Sequence, residues 1–268
     1  MRTIQLIYFL FTSVLVYSQI PEPNSNPINN PNSKLIISKI ENATLTIKLD
    51  TLNGQSYYQR GMLFLEIDDC KSAIKDFSKC IIFFPNEFAP YYYRGGCYDR
   101  LNQFNKSIED FTKVIELNPQ FVFGYMDRST IYTEIEEYDK AKSDILKTIE
   151  LKPKWTVSYS NLARVYDKKG NEEKAIENYN YAIKLDPTNY LAYNNLGYIY
   201  FQNKKYDLAI SFYSKAITHL PNYFNAIRNR ADAKFANGDK FGACNDIKMA
   251  ASLGDPKAKR LTSQFCKY

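Results

Sequence analysis

Bulky, mostly aromatic or aliphatic side chains return along this chain at i, i+3 and i+7, and the whole pattern returns every 34 residues. That spacing places the large side chains on one face of a helix. The first block carries Tyr57, Arg60, Gly61 and Phe64, then Ala73, Phe77, Cys80 and Pro85. The second carries Tyr91, Arg94, Gly95, Tyr98, Ser107, Phe111, Val114 and Pro119. The third has Tyr125, Arg128, Ser129, Tyr132, Ala141, Ile145, Thr148 and Pro153. Tyr159, Leu162, Ala163, Tyr166, Ala175, Tyr179, Ala182 and Pro187 form the fourth, and Tyr193, Leu196, Gly197, Tyr200, Ala209, Tyr213, Ala216 and Pro221 the fifth. Small residues at unit positions 8, 20 and 27 mark where two helices approach closely. The proline at position 32 cannot continue a helix and ends the second one. Each unit is therefore expected to be a helix, a tight turn and an antiparallel helix. One unit leaves apolar surface uncovered, whereas a stack buries it.

These columns (a large aromatic, a small residue four on, an aromatic, then Ala, an aromatic and Pro) resemble the tetratricopeptide repeat (TPR) family. The resemblance implies an all-α, right-handed superhelical solenoid of about six helix-turn-helix units with a C-terminal capping helix. The units would run 54–87, 88–121, 122–155, 156–189, 190–223 and 224–255, and the cap 256–268. The sixth unit is degenerate: it keeps Ile227, Ala231, Ala243, Ile247 and Ala250, but has Lys234 at an aromatic column and its proline one place late, at Pro256. In the cap, Ala258, Leu261 and Phe265 share a face, and a polar outer face would shield the open end of the stack.

Upstream of the repeats the pattern changes. Arg2, an apolar run from Ile4 to Val16 and the close Val16-Tyr17-Ser18 make residues 1–18 read as a secretory signal peptide, cleaved after Ser18. The run is shorter than the roughly 20 residues of a spanning helix, which disfavours an uncleaved anchor. The chain is thus expected to be exported, periplasmic or secreted, with no stable membrane span after cleavage. Residues 19–53 form a Pro/Asn-rich linker and a short N-terminal segment. Ile20 to Lys34 is too polar to order itself. In Leu35 to Leu49, Thr44, Thr46 and Lys48 alternate with Leu45, Ile47 and Leu49. A strand and an N-terminal capping helix both stay open there. Asn42-Ala43-Thr44 and Asn105-Lys106-Ser107 match the N-glycosylation sequon.

Charge adds little. Thirty-five basic and 29 acidic residues leave a formal +6 with no Lys/Arg block, so nucleic acid is not an expected partner. The five cysteines change the picture more, because an oxidising compartment permits disulfides. Cys70 and Cys80 are ten residues apart on one expected helix, too far along its axis to bridge. Two staples are expected, Cys80–Cys97 and Cys244–Cys266, with Cys70 free; the alternative is five buried small hydrophobes.

Catalytic chemistry finds no foothold. A Ser-His-Asp triad would need His219, the single histidine, and no nucleophile elbow accompanies it. No cluster has metal-ligand spacing and no glycine loop could cradle phosphate, so no metal, cofactor or enzyme activity is expected. His219 is read as a residue of the junction between repeats.

In a TPR stack the first helices line the concave face, with positions 2, 5, 6, 9, 12 and 13 pointing into it. At position 6 the resemblance singles out Asn161, Asn195 and Asn229, whose amides offer a donor and an acceptor each to an extended peptide. An Asn-rich chain and the family's own preference would also account for that column. Tyr58, Tyr92, Tyr93 and Met126 are further groove candidates, with Arg164, Tyr198 and Arg228, since rings and guanidinium groups are common interface anchors. The groove then reads as polar and aromatic. Family members that grip a C-terminal carboxylate use lysines absent here, where the columns hold Ser160, Arg164, Asn195, Asn225 and Asn229. The position-7 arginines, Arg60, Arg94, Arg128 and Arg230, read as packed stems whose heads reach a carboxylate or water. The expectation is a non-enzymatic scaffold that binds a peptide segment or partner protein in the concave groove. A structural component of an envelope or secretion machine and a carbohydrate-binding accessory protein are the alternatives.

Overall fold

The structure, a computed structural model, describes residues 31–266, so the expected signal peptide, its cleavage point and most of the linker lie outside the described residues. It begins with α1 (Pro31–Leu49). Six first helices follow at a strict 34-residue interval: α2 (Gly54–Glu66), α4 (Phe88–Arg100), α6 (Val122–Glu134), α8 (Thr156–Lys168), α10 (Tyr190–Gln202) and α12 (Phe224–Ala236). Their partners are α3 (Cys70–Phe83), α5 (Phe104–Leu117), α7 (Tyr138–Leu151), α9 (Glu172–Leu185), α11 (Tyr206–His219) and α13 (Lys240–Ser252), and α14 (Pro256–Phe265) closes the array. Each helix packs on its chain neighbours, and the described residues hold no strand. The fold is an all-α solenoid.

The turn inside each unit recurs residue for residue. Asp68, Asn102, Glu136, Gly170, Lys204 and Gly238 occupy one column and all have positive φ, between 56° and 90°. The next residue's N–H then bonds back to a carbonyl five residues earlier, as from Asp69 to Phe64 and Glu137 to Tyr132 at 2.8 Å. Such a left-handed residue satisfies the last carbonyls of the first helix. Between units, Pro85 and its counterparts stop the second helix. Tyr91 and Tyr159 donate their hydroxyls to the carbonyls of Pro85 and Pro153 at 3.2 and 2.8 Å.

Within a unit, small residues let the helices close. Ala73, Ala141, Ala175, Ala209 and Ala243 are fully buried at one column, with Ser107 in the remaining repeat. Gly197 lies against the Tyr213 ring so closely that a Cβ there would sit 2.7 Å from it.

Arginine ties one unit to the next. Arg94 donates through Nε and Nη2 to both oxygens of Asp110, 16 residues on, at 2.8 and 2.7 Å. Its Nη1 donates to Ser78 Oγ, 16 residues back on α3, at 3.0 Å. Arg128 treats Asp144 and Thr112 the same way, and Arg230 treats Asp246 and Ser214. The guanidinium also lies near the rings flanking it on its own helix, 5.6 Å from Tyr91 and 5.8 Å from Tyr98 for Arg94. In units four and five, Leu162 and Leu196 replace the arginine, and the carboxylate column holds Asn178 and Phe212. The polar set is kept or dropped together. In unit six, Lys234 joins it, its Nζ 2.9 Å from Asp246.

The same contact identifies α1. Arg60 bonds Asp76 at 2.7 Å and Thr44 Oγ1 at 3.0 Å, so Thr44 stands where Ser78 and Thr112 stand in later units. The segment left open between strand and helix is thus the second helix of a half-unit. It also begins at Pro31, which moves residues 31–34 from the expected linker into a helix. Proline is favoured at the first helical position because its missing N–H has no partner to lose there. In the two sequons the hydroxyl residues are engaged by the fold, Thr44 bonded as above and buried Ser107 donating to Gly95 O at 2.7 Å, while Asn42 and Asn105 are exposed.

The cysteines divide in a different way from the expectation. Cys244 and Cys266 are bonded, with S–S 2.01 Å, pinning the end of α14 to α13. Cys80 and Cys97 are not bonded: Cys70, Cys80 and Cys97 are all free and buried. Antiparallel geometry gives the reason. The start of α3 lies beside the end of α4, so Cys97 meets Cys70 in one core cluster with Ala73 and Phe77. Cys80, near the other end of α3, faces a small cavity of about 250 Å³ lined also by Glu87, Ala89 and Pro90. His219 is exposed and stacks on Tyr193 of its own unit at 5.5 Å, bracing the helix pair instead of a junction between repeats.

Candidate inner groove and its side chains

The inner face is built from one side of α2, α4, α6, α8, α10 and α12, and the register of the units stacks equivalent side chains along it. At position 6 the column reads Gln59, Tyr93, Asp127, Asn161, Asn195 and Asn229. Two of the three asparagines bridge neighbouring first helices. Asn161 Nδ2 lies 2.7 Å from Met126 Sδ, and Asn229 Nδ2 donates to Asn194 Oδ1 at 3.1 Å. Asn195 Oδ1 accepts from Asn194 at 3.3 Å, and its amide also meets the Tyr179 hydroxyl. The ladder therefore holds the stack together while it is held in rank.

The aromatic candidates separate into floor and surface. Tyr58 and Tyr93 pack on the Cys70–Phe77 cluster, their rings 6.2 Å apart, and burial raises the Tyr58 phenol above its ordinary range. Tyr92 is wedged among Tyr93, Phe111 and Phe121 at 5.5, 5.8 and 5.0 Å. Met126 is only 6% exposed, because its sulfur is covered by Asn161, so it lies beneath the groove. Tyr198, 46% exposed, presents its ring openly.

The arginine candidates are committed to carboxylates. Arg164 Nη1 lies 3.6 Å from Glu134. Arg228 Nε lies 2.7 Å from Asp255 Oδ2, off the axis of its N–H, so the contact is ionic and not a directed hydrogen bond. Asp255 in turn accepts from Lys257 N at the start of α14, which makes Arg228 a strut between the last unit and the cap.

Aspartates were the residues that the sequence reading passed over. Asp127 stands 34 residues before Asn161, in the same column. Burial pushes its carboxyl up to about 7; a hydrogen bond from the Tyr92 hydroxyl opposes that rise and the Asp99 charge adds to it. Asp99 and Asp167, both at position 12 and half-buried, are held above the usual carboxylate range chiefly by burial, and Asp232, at position 9 and more exposed, is raised in the same direction. Carrying the asparagine column back by one unit was enough to find the first of them. The inner columns are thus richer in carboxylate than a polar and aromatic reading allows. Among the described residues no group of three or more His, Cys, Asp or Glu is placed to hold a metal ion, and no helix is long and apolar enough to cross a membrane.

Stacked helix pairs at a 34-residue period define a helical-repeat solenoid. Family profiles agree: the one described as tetratricopeptide repeat matches residues 89–121 and 190–223, a second of that description matches 124–154, and one described as TPR repeat matches 163–204. The chain is a tetratricopeptide-repeat protein. In three dimensions it is similar to a tetratricopeptide repeat protein from Parabacteroides merdae, at 21% identity, covering 87% of this chain and 93% of that one with a TM-score of 0.74. Yeast Tom70 aligns at 18% identity over 87% of this chain and 54% of its own, with a TM-score of 0.66. MamA from Desulfovibrio magneticus aligns at 19% identity over 63% and 96%, with a TM-score of 0.56. These likenesses establish the fold. Curated proteins give no sequence match.

Proposed function

We propose that the chain is a non-enzymatic interaction scaffold that holds an extended segment of a partner protein along its inner face. One observation carries the reading. The inner columns combine an exposed ring at Tyr198 with the carboxylates of Asp99, Asp127, Asp167 and Asp232, while Arg164 and Arg228 are occupied by Glu134 and Asp255. Such a surface favours a segment bearing lysine or arginine, because cations restore to half-buried carboxylates the charge stabilisation that burial removes. Asn195 and its bonded neighbours add amides in a fixed order for the backbone of that segment. No cofactor enters this reading. The scaffold would work outside the cytoplasm: Arg2 with the apolar run after it supports export, and a Cys244–Cys266 bond suits an oxidising compartment.

A photocrosslinking amino acid placed at Tyr198 and, in a second chain, at exposed Glu177 on α9 tests the placement. In cells of the native source, capture of a defined partner from position 198 and not from 177 is the expected result. Capture from 177 alone would move the contact to the outer surface and favour the assembly role. Capture of glycan and no protein at 198 would favour the carbohydrate-binding one.

A further inference from the structure

We propose that Cys70 and Cys97 are a redox-active pair that closes into a disulfide joining the first two repeats. Three observations converge on this pair. The two side chains share one buried cluster, 5% and 0% exposed, where the first turn of α3 passes the last turn of α4. Each is the leading electrostatic neighbour of the other, so the two thiols face one another within that cluster. Beside them the Arg100–Asp68 ion pair, 2.7 Å long, marks the edge of the cluster nearest solvent, since Asp68 is largely exposed.

The pair is chemically asymmetric. Cys70 is held down to about 7, first by its contact with Cys97, with burial opposing and Arg100 helping. Cys97 is pushed up, first by its contact with Cys70 and then by burial. Cys70 is therefore the attacking sulfur, since the thiolate is the nucleophile. With a disulfide donor such as oxidised glutathione, the Cys70 thiolate attacks one sulfur, forms a mixed disulfide and expels one glutathione thiolate. Cys97 then loses its proton to solvent and attacks Cys70 Sγ, expelling the second. Two protein thiols are oxidised by two electrons, and the donor is reduced to two thiols. The product would clamp the wall against which Tyr58 and Tyr93 pack, at the start of the groove.

Trypsin separates the three candidate thiols cleanly: Cys70 falls in 61–71, Cys80 in 80–94 and Cys97 in 95–100. The full chain is reduced, incubated with oxidised glutathione, blocked with N-ethylmaleimide under denaturing conditions and mapped without reductant. The expected species is 61–71 joined to 95–100, with 80–94 alkylated. It should persist in Cys80→Ser and vanish in Cys70→Ser. A link between 80–94 and 95–100 would overturn the proposal, and so would three alkylated thiols or stable glutathione adducts on the wild-type chain.

Discussion

Arg128 and Asp144 show how much a single side chain carries here. Both are mostly buried, and the guanidinium meets both carboxylate oxygens and the Thr112 hydroxyl. Arg128→Ala would strand the carboxylate, a loss of about 3 kcal/mol by analogy with broken buried pairs. The triple replacement Thr112→Leu, Arg128→Leu, Asp144→Asn copies the residues at these columns in unit four, namely Leu146, Leu162 and Asn178. It is expected to recover most of that loss in urea denaturation. A triple variant no more stable than Arg128→Ala would show that the polar set is not exchangeable. Asp127 gives a second test at this scale. Its folded carboxyl is raised above the unfolded value of roughly 4, so its contribution to stability is complete below that value and lost as pH rises through about 7. Asp127→Asn should flatten the fall in melting temperature between those two pH values and make the chain more stable than wild type above pH 7. An unchanged pH profile would mean that the carboxyl titrates normally.

At the scale of helices and turns, most of the fold was legible in the sequence. The 34-residue columns located each helix pair because proline, small residues and rings each act locally, by ending a helix, permitting approach or filling a face. What escaped were features whose meaning lies in a neighbour. In α1 the aromatic and proline columns are absent, and only Thr44, read as the hydroxyl partner of Arg60, marks it as a half-unit. The Cys80–Cys97 expectation pairs a close-packed residue of unit one with a cysteine on the facing first helix of unit two without matching their heights along antiparallel helices, and that height favours Cys70. The turn column makes its own prediction. Lys204 holds φ at 57° where Gly170 and Gly238 hold it without a side chain. Lys204→Gly relieves a left-handed conformation that costs about 1–2 kcal/mol, offset in part by glycine's extra chain entropy of roughly 0.5–1 kcal/mol. A small gain in stability is expected, and a loss would point to an unseen role for the lysine.

At the largest scale, the two ends of the described repeat array are finished differently, by a half-unit before the first repeat and by a stapled cap after the last. The Cys244–Cys266 bond spans 22 residues, and a loop of that size stabilises by about 3 kcal/mol in the chain-entropy view. Cys266→Ser should accelerate amide exchange in α13 and α14 while leaving α4 to α9 unchanged, because repeat arrays transmit stability mainly to nearest neighbours. Uniform acceleration would contradict that picture. The groove was less legible than the fold. Sequence placed the candidates on the inner columns, but it could not tell that Met126 is covered, that Arg228 is spent on Asp255, or that burial shifts four aspartates. Each of those depends on contacts between units.

The most direct test of the central claim is to pan a display library of random peptides against the immobilised full chain. The variant Asp127→Asn, Asp167→Asn, Asp232→Asn serves as the comparison, once circular dichroism shows it folded. The account predicts enrichment of peptides rich in lysine and arginine, bound more tightly at pH 8 than at pH 6 and lost with the variant. Peptides retained equally by both chains, or enriched without basic residues, would contradict an inner face that selects its partner by charge.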